Sequence, residues 1–433
     1  MSGEALQLEE PLKEGGIRSI NFFNGRLLTG KDLSREQQAR CEWDARLGLA
    51  VGDGVAFGLE VARDDDLDTP LTPVLRLKAG LAVNRAGQTL RLSVDTSVAL
   101  TRRFDAAATV CDCVFANCNP LADGTYVAGA GVYMLTIAPA QLGEGRAPTN
   151  GLDPTNVRCN TDVTVDGLQF RLLAINPQRY IDLDIASLQF RNRIAYRCFG
   201  VEARAANAID PWRSDPADYG LVDELRSQRL DDRDVPLALI YWTAAGLQFV
   251  DMWAVRRMLL APDALSGFAF QARRRRLVEA QAMCAQFQQH LADLLAASTM
   301  PTALKATLHW RHLPPFGIVP LQRAALRGFH PVVFFDGIVH RPSQGSNQDI
   351  PFIDVRLLGT LRQEALGHAP IDLTQPEFIR IYRPWQNVRA VGDGQPVQPV
   401  LVFACGLASE FAVARFDMAR FDFSNCADCC SGS

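Results

Sequence analysis

The alternation of apolar and polar residues divides this chain into short strands interrupted by two stretches of helical period. Leu75, Leu77, Ala79, Leu81 and Val83 alternate with Arg76, Lys78 and Asn84. That period of two places every second side chain on one face of a strand. Arg85-Ala86-Gly87-Gln88 turns the chain and Leu90-Arg91-Leu92 returns, which predicts a β-hairpin with one wet face. Val132–Ala138, Thr161–Ile175, Ser187–Phe199, Leu237–Trp242 and Leu247–Trp253 are read as further strands. Pro331–Phe335, Phe352–Leu358, Phe378–Tyr382 and Val400–Ala404 are read likewise in the last third. Leu-Gln-Phe recurs at 168–170, 188–190 and 247–249, an echo that alternation produces without duplication.

The first helical stretch lies near the start. Residues 1–19 read as an arm, followed by an extended segment, Ile20 to Leu28, turned at Asn24-Gly25. Thr29-Gly30-Lys31-Asp32 fits a capping box, in which hydroxyl and carboxylate each accept a backbone N–H of the other. A helix is predicted from about Lys31 to Leu47. Its thin apolar face (Leu33, Trp43, Leu47) suits a surface or a contact between chains rather than a core. The second stretch, Leu277, Ala280, Cys284, Phe287, Leu291 and Leu294, follows the 3-4 spacing of a heptad seam. It covers fewer than three heptads, so packing on the chain's own sheet and a helix contact between subunits both satisfy it. Leu313-Pro314-Pro315-Phe316-Gly317 interrupts regular structure, because two prolines remove backbone donors.

These patterns predict an α+β fold, predominantly β, with β-sandwich-like modules, an N-terminal helix and one long central helix. The expected organisation is an arm and docking helix at 1–48, a β-rich domain at 49–265, the long helix at 266–300 and a second β-rich domain at 301–433. A chain of 433 residues exceeds one ordinary core and agrees with more than one domain.

Composition narrows the function. Apolar residues are 48% and charged ones 21%, the balance of a globular protein, and the net charge of −4 is opposite to what a general nucleic-acid binder needs. The basic run Arg273 to Arg276 reads as a solvated helix end. No basic and apolar leader opens the chain and no apolar run is long enough for a membrane span. Cytoplasmic synthesis without a signal peptide is therefore expected.

Candidate chemistry is sparse. Gly52-x-Gly54 with Gly58 has a helix before it and a strand after it, the reverse of a dinucleotide loop. His309-x-x-His312 could share a helical face, but Pro314 ends any helix there and no nearby carboxylate completes a metal site. Asp64-Asp65-Asp66-Leu67-Asp68 lacks the spacing of a calcium loop and reads as a solvated turn. Of eleven cysteines, two clusters stand out: Cys111, Cys113 and Cys118, and Cys426, Cys429 and Cys430. Neither supplies four zinc ligands, which leaves metal, disulfide and unpaired thiol open. No nucleophile elbow or zinc-protease helix occurs. No catalytic, cofactor or metal residue is assigned, and no enzyme activity or cofactor is expected.

One segment resembles a known opening. Phe22-Phe23-Asn24-Gly25-Arg26-Leu27-Leu28-Thr29-Gly30-Lys31-Asp32-Leu33, then Gly58-Leu59-Glu60-Val61 and Gly80-Leu81-Ala82-Val83, is similar in order to proteins associated with contractile injection systems and phage-tail-like baseplates. Leu313-Pro314-Pro315-Phe316-Gly317 and the tandem Ala414-Arg415-Phe416-Asp417 and Ala419-Arg420-Phe421-Asp422 also resemble that group. The resemblance implies a structural subunit at the baseplate or a fibre attachment, in contact with other tail subunits and with copies of itself, in a particle that is released or membrane-docked. Phe22, Phe23, Leu27, Leu28, Asp32 and Leu33 are the expected interface, since aromatics and leucines beside a capped helix make good anchors. Two rival readings are a glycan- or surface-binding fibre module, with Trp212, Trp242, Trp253, Trp310 and Trp385 as stacking platforms, and a hydrolase without a recognised motif.

Overall fold

A computed structural model describes residues 14–70, 73–100, 131–145, 162–180, 184–201, 220–226, 229–243, 245–259, 269–296, 304–320, 331–341, 352–375, 378–385 and 400–406. The chain opens with helix α1 (Gly30–Val51), four residues longer at its C-terminal end than the expected Leu47. Six short strands follow: β1 (Gly54–Gly58), β2 (Val61–Arg63), β3 (Val74–Leu77), β4 (Gly80–Val83), β5 (Thr89–Leu92) and β6 (Thr96–Ala99). They form two three-stranded antiparallel sheets, ordered β1-β4-β5 and β2-β3-β6. The single strand expected from Leu75 to Val83 is therefore two strands in different sheets. Leu75 and Leu77 are buried, but beyond the break Ala82 is buried while Leu81 is only half-buried, so the alternation changes phase. The cause is a backbone crossing: a Cβ on Gly58 would lie 1.9 Å from the Ala79 carbonyl oxygen, and one on Gly80 would lie 2.5 Å from the Leu59 nitrogen. The expected hairpin does form between β4 and β5, with Val83 opposite Thr89 and the turn closed by Asn84, whose side-chain oxygen accepts the Gln88 N–H at 2.8 Å.

The centre of the molecule is a four-stranded antiparallel sheet, β10-β9-β7-β8, from β7 (Gly131–Glu144), β8 (Val163–Ile175), β9 (Val235–Thr243) and β10 (Gly246–Asp251). Both faces of β7 are covered from Val132 to Ala138. Tyr133, Leu135 and Ile137 look into a core shared with the two small sheets, whereas Val132 and Met134 look into a second core lined by helices. A bulge opposite Leu135 and Thr136 leaves Leu237 as an extra residue, so both Leu237 and Ala238 reach the first core. Pro236 sits at that irregularity, one of the few places a strand admits proline.

The helices between these strands are α2 (Pro177–Tyr180), α3 (Phe190–Cys198) and α4 (Leu221–Arg226). The region read as a strand from Ser187 to Phe199 is thus helical. Phe190, Ile194, Ala195, Tyr196 and Cys198 are buried together with Arg191 and Asn192, so the core surrounds most of this helix, and that packing outweighed the local Leu-Gln-Phe alternation. The three Leu-Gln-Phe echoes fall on β8, on the start of α3 and on β10, which are unlike elements.

Helix α5 (Ala269–Ala296) contributes to two cores at once. Ala282 and Met283 pack with Phe190 and Ile194, while Phe287 and Leu291 pack with Trp310, Phe334 and Phe403. The heptad seam is accordingly internal. The run Arg273 to Arg276 lies within α5; its side chains are outside the described residues. The remaining elements are α6 (Ala306–His309), β11 (His312–Leu313), β12 (Phe316–Pro320), α7 (Pro331–Phe334), β13 (Val339–Arg341), β14 (Phe352–Asp354), α8 (Val355–Ala365), β15 (Ile371–Asp372), β16 (Phe378–Trp385) and β17 (Val400–Cys405). They build a sheet ordered β12-β17-β16-β13, with β14 also parallel to β16, and a small β11-β15 pair.

Three expectations need correction here. Residues 331–334 are helical rather than extended; Pro331 stands at the first helical position, where a missing N–H costs nothing, and Phe334 packs on Phe287. Phe352–Leu358 is strand for three residues only and then turns into α8, whose Leu358, Leu361 and Ala365 meet the last core at helical spacing. Leu313 to Gly317 is not irregular throughout: Pro314 and Pro315 merely separate β11 from β12. The architecture is α+β and strand-rich, built from several small sheets.

Candidate functional site

The expected interface lies on the N-terminal arm and the start of α1. Gly25, at φ +88°, makes the turn after Asn24, and the Arg26 N–H closes it on the Phe23 carbonyl at 3.2 Å. Thr29 then caps the helix. Its hydroxyl accepts the Asp32 N–H at 3.3 Å, and the Asp32 carboxylate accepts the Thr29 N–H at 3.0 Å and the Thr29 O–H at 2.7 Å. Arg26 donates to the other Asp32 oxygen at 2.9 Å and to the Asn21 carbonyl at 2.9 Å, and its guanidinium lies 5.9 Å from the centre of the Phe23 ring. The Thr29 hydroxyl and N–H, with the Arg26 guanidinium, hold the Asp32 carboxyl down to about 2. Asp32 is thus the organiser of this bend, positioning the arm rather than offering apolar surface.

The apolar members point outward. Phe23 is 62% and Leu27 87% exposed, and Phe22, Leu28 and Leu33 are exposed as well. The arm nevertheless has one inward anchor: Ile20 is buried, and its N–H donates to the Glu36 carboxylate at 3.0 Å. Farther along α1, Trp43, Leu47, Leu49 and Val51 are also exposed, and only Ala39 and Gly48 are buried. The helix meets the body backbone to backbone at Gly48, where a Cβ would lie 2.0 Å from the Gly87 carbonyl oxygen. Leu49, Val51 and Phe57 belong to the exposed apolar set and were not picked out from the sequence. Leu49 and Val51 lie past the expected helix end at Leu47, and Phe57 lies on β1, so the thin apolar face of the helix gave no signal for them.

No protein-family profile and no curated protein matches this sequence. Among solved structures, the crystal structure of TssK aligns over 92% of this chain and 94% of that chain, at 10% identity and a TM-score of 0.22.

The other candidates resolve individually. His309 ends α6 and His312 lies in β11, so they do not share a helical face. His312 stacks on Tyr196 at 5.0 Å, and its Nε2 is 3.7 Å from Asp372. Burial pushes the His309 imidazole below its ordinary range and that of His290 well below it, the latter helped by the nearby Arg191 charge. Among the described residues no three His, Cys, Asp or Glu side chains gather as a metal site. The acidic turn is not simply solvated. Asp64 is buried and accepts from Ser97 at 2.5 Å, from Arg76 at 2.8 Å and from the Asp66 N–H at 3.2 Å, while Asp68 accepts the Val74 N–H at 3.0 Å. The hydrogen bond from Ser97 is the first cause of its lowered pKa. Its role is to tie β2, β3 and β6 together.

The tryptophan platforms are corrected in part. Trp242 and Trp310 are core side chains and Trp253 is half-buried with Arg256 at 5.5 Å over its ring. Trp212 and the Trp385 side chain lie outside the described residues, as do both cysteine clusters, Cys159 and the 414–422 tandem. Cys41 is exposed on α1, Cys198 and Cys405 are buried in cores, and Cys284 is half-buried beside one. Burial pushes the Cys198 and Cys284 thiols up to about 12. No helix among the described residues is long and apolar enough to cross a membrane.

Proposed function

We propose that this chain is a structural subunit of a contractile, phage-tail-like injection particle, placed at its baseplate or at a fibre attachment and acting through protein contacts. The observation that carries the reading is the row of exposed apolar side chains from Phe22 to Leu33, continued by Trp43 and Leu47 on α1. Isolated exposed leucines are ordinary, but several exposed aromatics and leucines next to and along one capped helix mark an interaction surface. The resemblance of this same segment to baseplate-associated proteins gives the partner class. On this reading the chain performs no catalytic step, and assembly energy comes from covering the arm.

The test is particle attachment. Particles purified from cells that make this protein should contain the chain, and a Phe23→Asp, Leu27→Asp chain should drop out by about tenfold or more. Its thermal midpoint should stay unchanged, because both side chains are exposed in the free protein. A wild-type chain that never sediments with sheath or tube proteins, or a variant that stays attached, would end the proposal.

A further inference from the structure

Strands β7 and β8 outrun their own sheet. β9 pairs with β7 only from Gly131 to Ile137, whereas β8 follows β7 from Val132↔Ile175 out to Glu144↔Val163. Past Ala138 the two strands form a ribbon of their own, on which Leu142, Val163 and Val165 are exposed. A two-stranded ribbon is marginal in water by itself. Among the described residues no strand pairs with β8 on its far side.

An open edge offers a row of N–H and C=O groups that only another extended backbone satisfies as a set. Natural edges are blunted by lysine, proline, bulges or shortness. The stretch Val163-Thr164-Val165-Asp166-Gly167 has no lysine and no proline, and its thirteen-residue strand runs in register without a bulge. Its single charge, Asp166, accepts from Gln141 across the ribbon at 3.0 Å.

We propose that a second copy of this chain pairs with this edge, β8 against β8, antiparallel about a two-fold axis at Val165. Directly opposite residues of antiparallel strands share a face, so such a self-pair must be centred on a residue. Centred on Val165, it sets Val165 against its own copy, Thr164 against Asp166 and Val163 against Gly167. The hydroxyl meets the carboxylate, and the glycine leaves room for the valine. Centring on Thr164 would oppose Asp162 and Asp166, and centring on Asp166 would oppose that residue to itself; like charges directly opposite are destabilising. Centring on Gly167 puts two residues with nothing to pack at the crossing. Of these four registers the one centred on Val165 makes the exposed end of the edge complementary to itself, and the four-stranded sheet continues into its copy. This surface is separate from the arm and does not rest on the proposed particle role.

The test is self-association of the full chain, followed by sedimentation velocity and light scattering over a range of concentrations. Wild type should form a dimer. Val165→Lys and Val165→Asp should each weaken it by about tenfold or more, through like charges at the axis. An equimolar mixture of the two variants should restore the dimer, with both melting like wild type. Phe23→Asp should leave the dimer intact. A monomeric wild type, a dimer that survives both charge variants, a mixture that stays monomeric, or a dimer lost with Phe23→Asp each overturns the proposal. So does protection of β8 amides that appears only when a different protein is added, since that gives the edge to another partner.

Discussion

At the scale of single residues, Asp32 shows how one side chain sets a local structure. It receives two hydrogen bonds from Thr29 and one from Arg26, so bend and helix start are one unit. The carboxyl titrates at about 2 when folded, against 3.8 for the ordinary group. A folded value below the unfolded one means the contribution is complete above about 3.8 and is lost as pH falls through about 2. Carboxyl NMR on the intact chain should place the Asp32 midpoint near 2, and Arg26→Ala should move it upward. A midpoint at or above 3.8 would contradict the capping geometry. This box was legible in four consecutive letters, Thr29 to Asp32, because capping is a local contest between one side chain and the nearest backbone groups. The buried role of Asp64 was not legible, since Arg76 and Ser97 reach it from strands twelve and thirty-three residues away.

Elements are decided by which period wins. In α5 the seam residues Phe287 and Leu291 are buried against Trp310, Phe334 and Phe403. Phe287 lies 5.4 Å from both the Trp310 and Phe403 rings, edge-on to the latter. Phe287→Ala should destabilise the fold by about 3–5 kcal/mol, read as a shifted urea midpoint; an unchanged midpoint would remove this helix from the core. The same sequence pattern was equally consistent with a contact between subunits. Residues 190–198 and 331–334 were misread as strands because short apolar runs fit either period. Only contacts with Leu221 and Leu225 for the first, and with Phe287 for the second, select the helix. The length of β8 was legible, but its isolation past Ala138 depends on where β9 stops pairing, a fact about a strand that begins sixty residues after β8 ends.

Across the whole molecule, polar side chains clamp the apolar cores together at α5. Asp251, at the end of β10, accepts from Arg191 of α3 at 3.0 Å, from Gln286 of α5 at 2.8 Å and from the Ala254 N–H at 3.0 Å. Arg191 also donates to Asp293 at 2.7 Å, and Gln289 donates to the Val250 carbonyl at 2.7 Å. Arg191 and Asp251 are both buried, so removing Asp251 leaves Arg191 with Asp293 as its carboxylate and takes the acceptor from Gln286 and the Ala254 N–H. Asp251→Ala should therefore cost about 3–5 kcal/mol in a chemical melt. A loss below about 1 kcal/mol, the value of an exposed pair, would show that the clamp is solvated.

By itself the sequence determined the things that depend on near neighbours: the turn at Asn24-Gly25, the cap at Thr29, the β4–β5 hairpin, the strand-rich α+β class and the apolar composition of the arm. It also held the self-complementary letters of β8. Only the tertiary structure decided which of those apolar residues stay outside. Phe23, ahead of α1, and Phe287, within α5, are the same residue type, yet one is exposed and the other fully buried. Burial is a property of what the rest of the chain brings to the same place, and that meeting is written in no short stretch of residues.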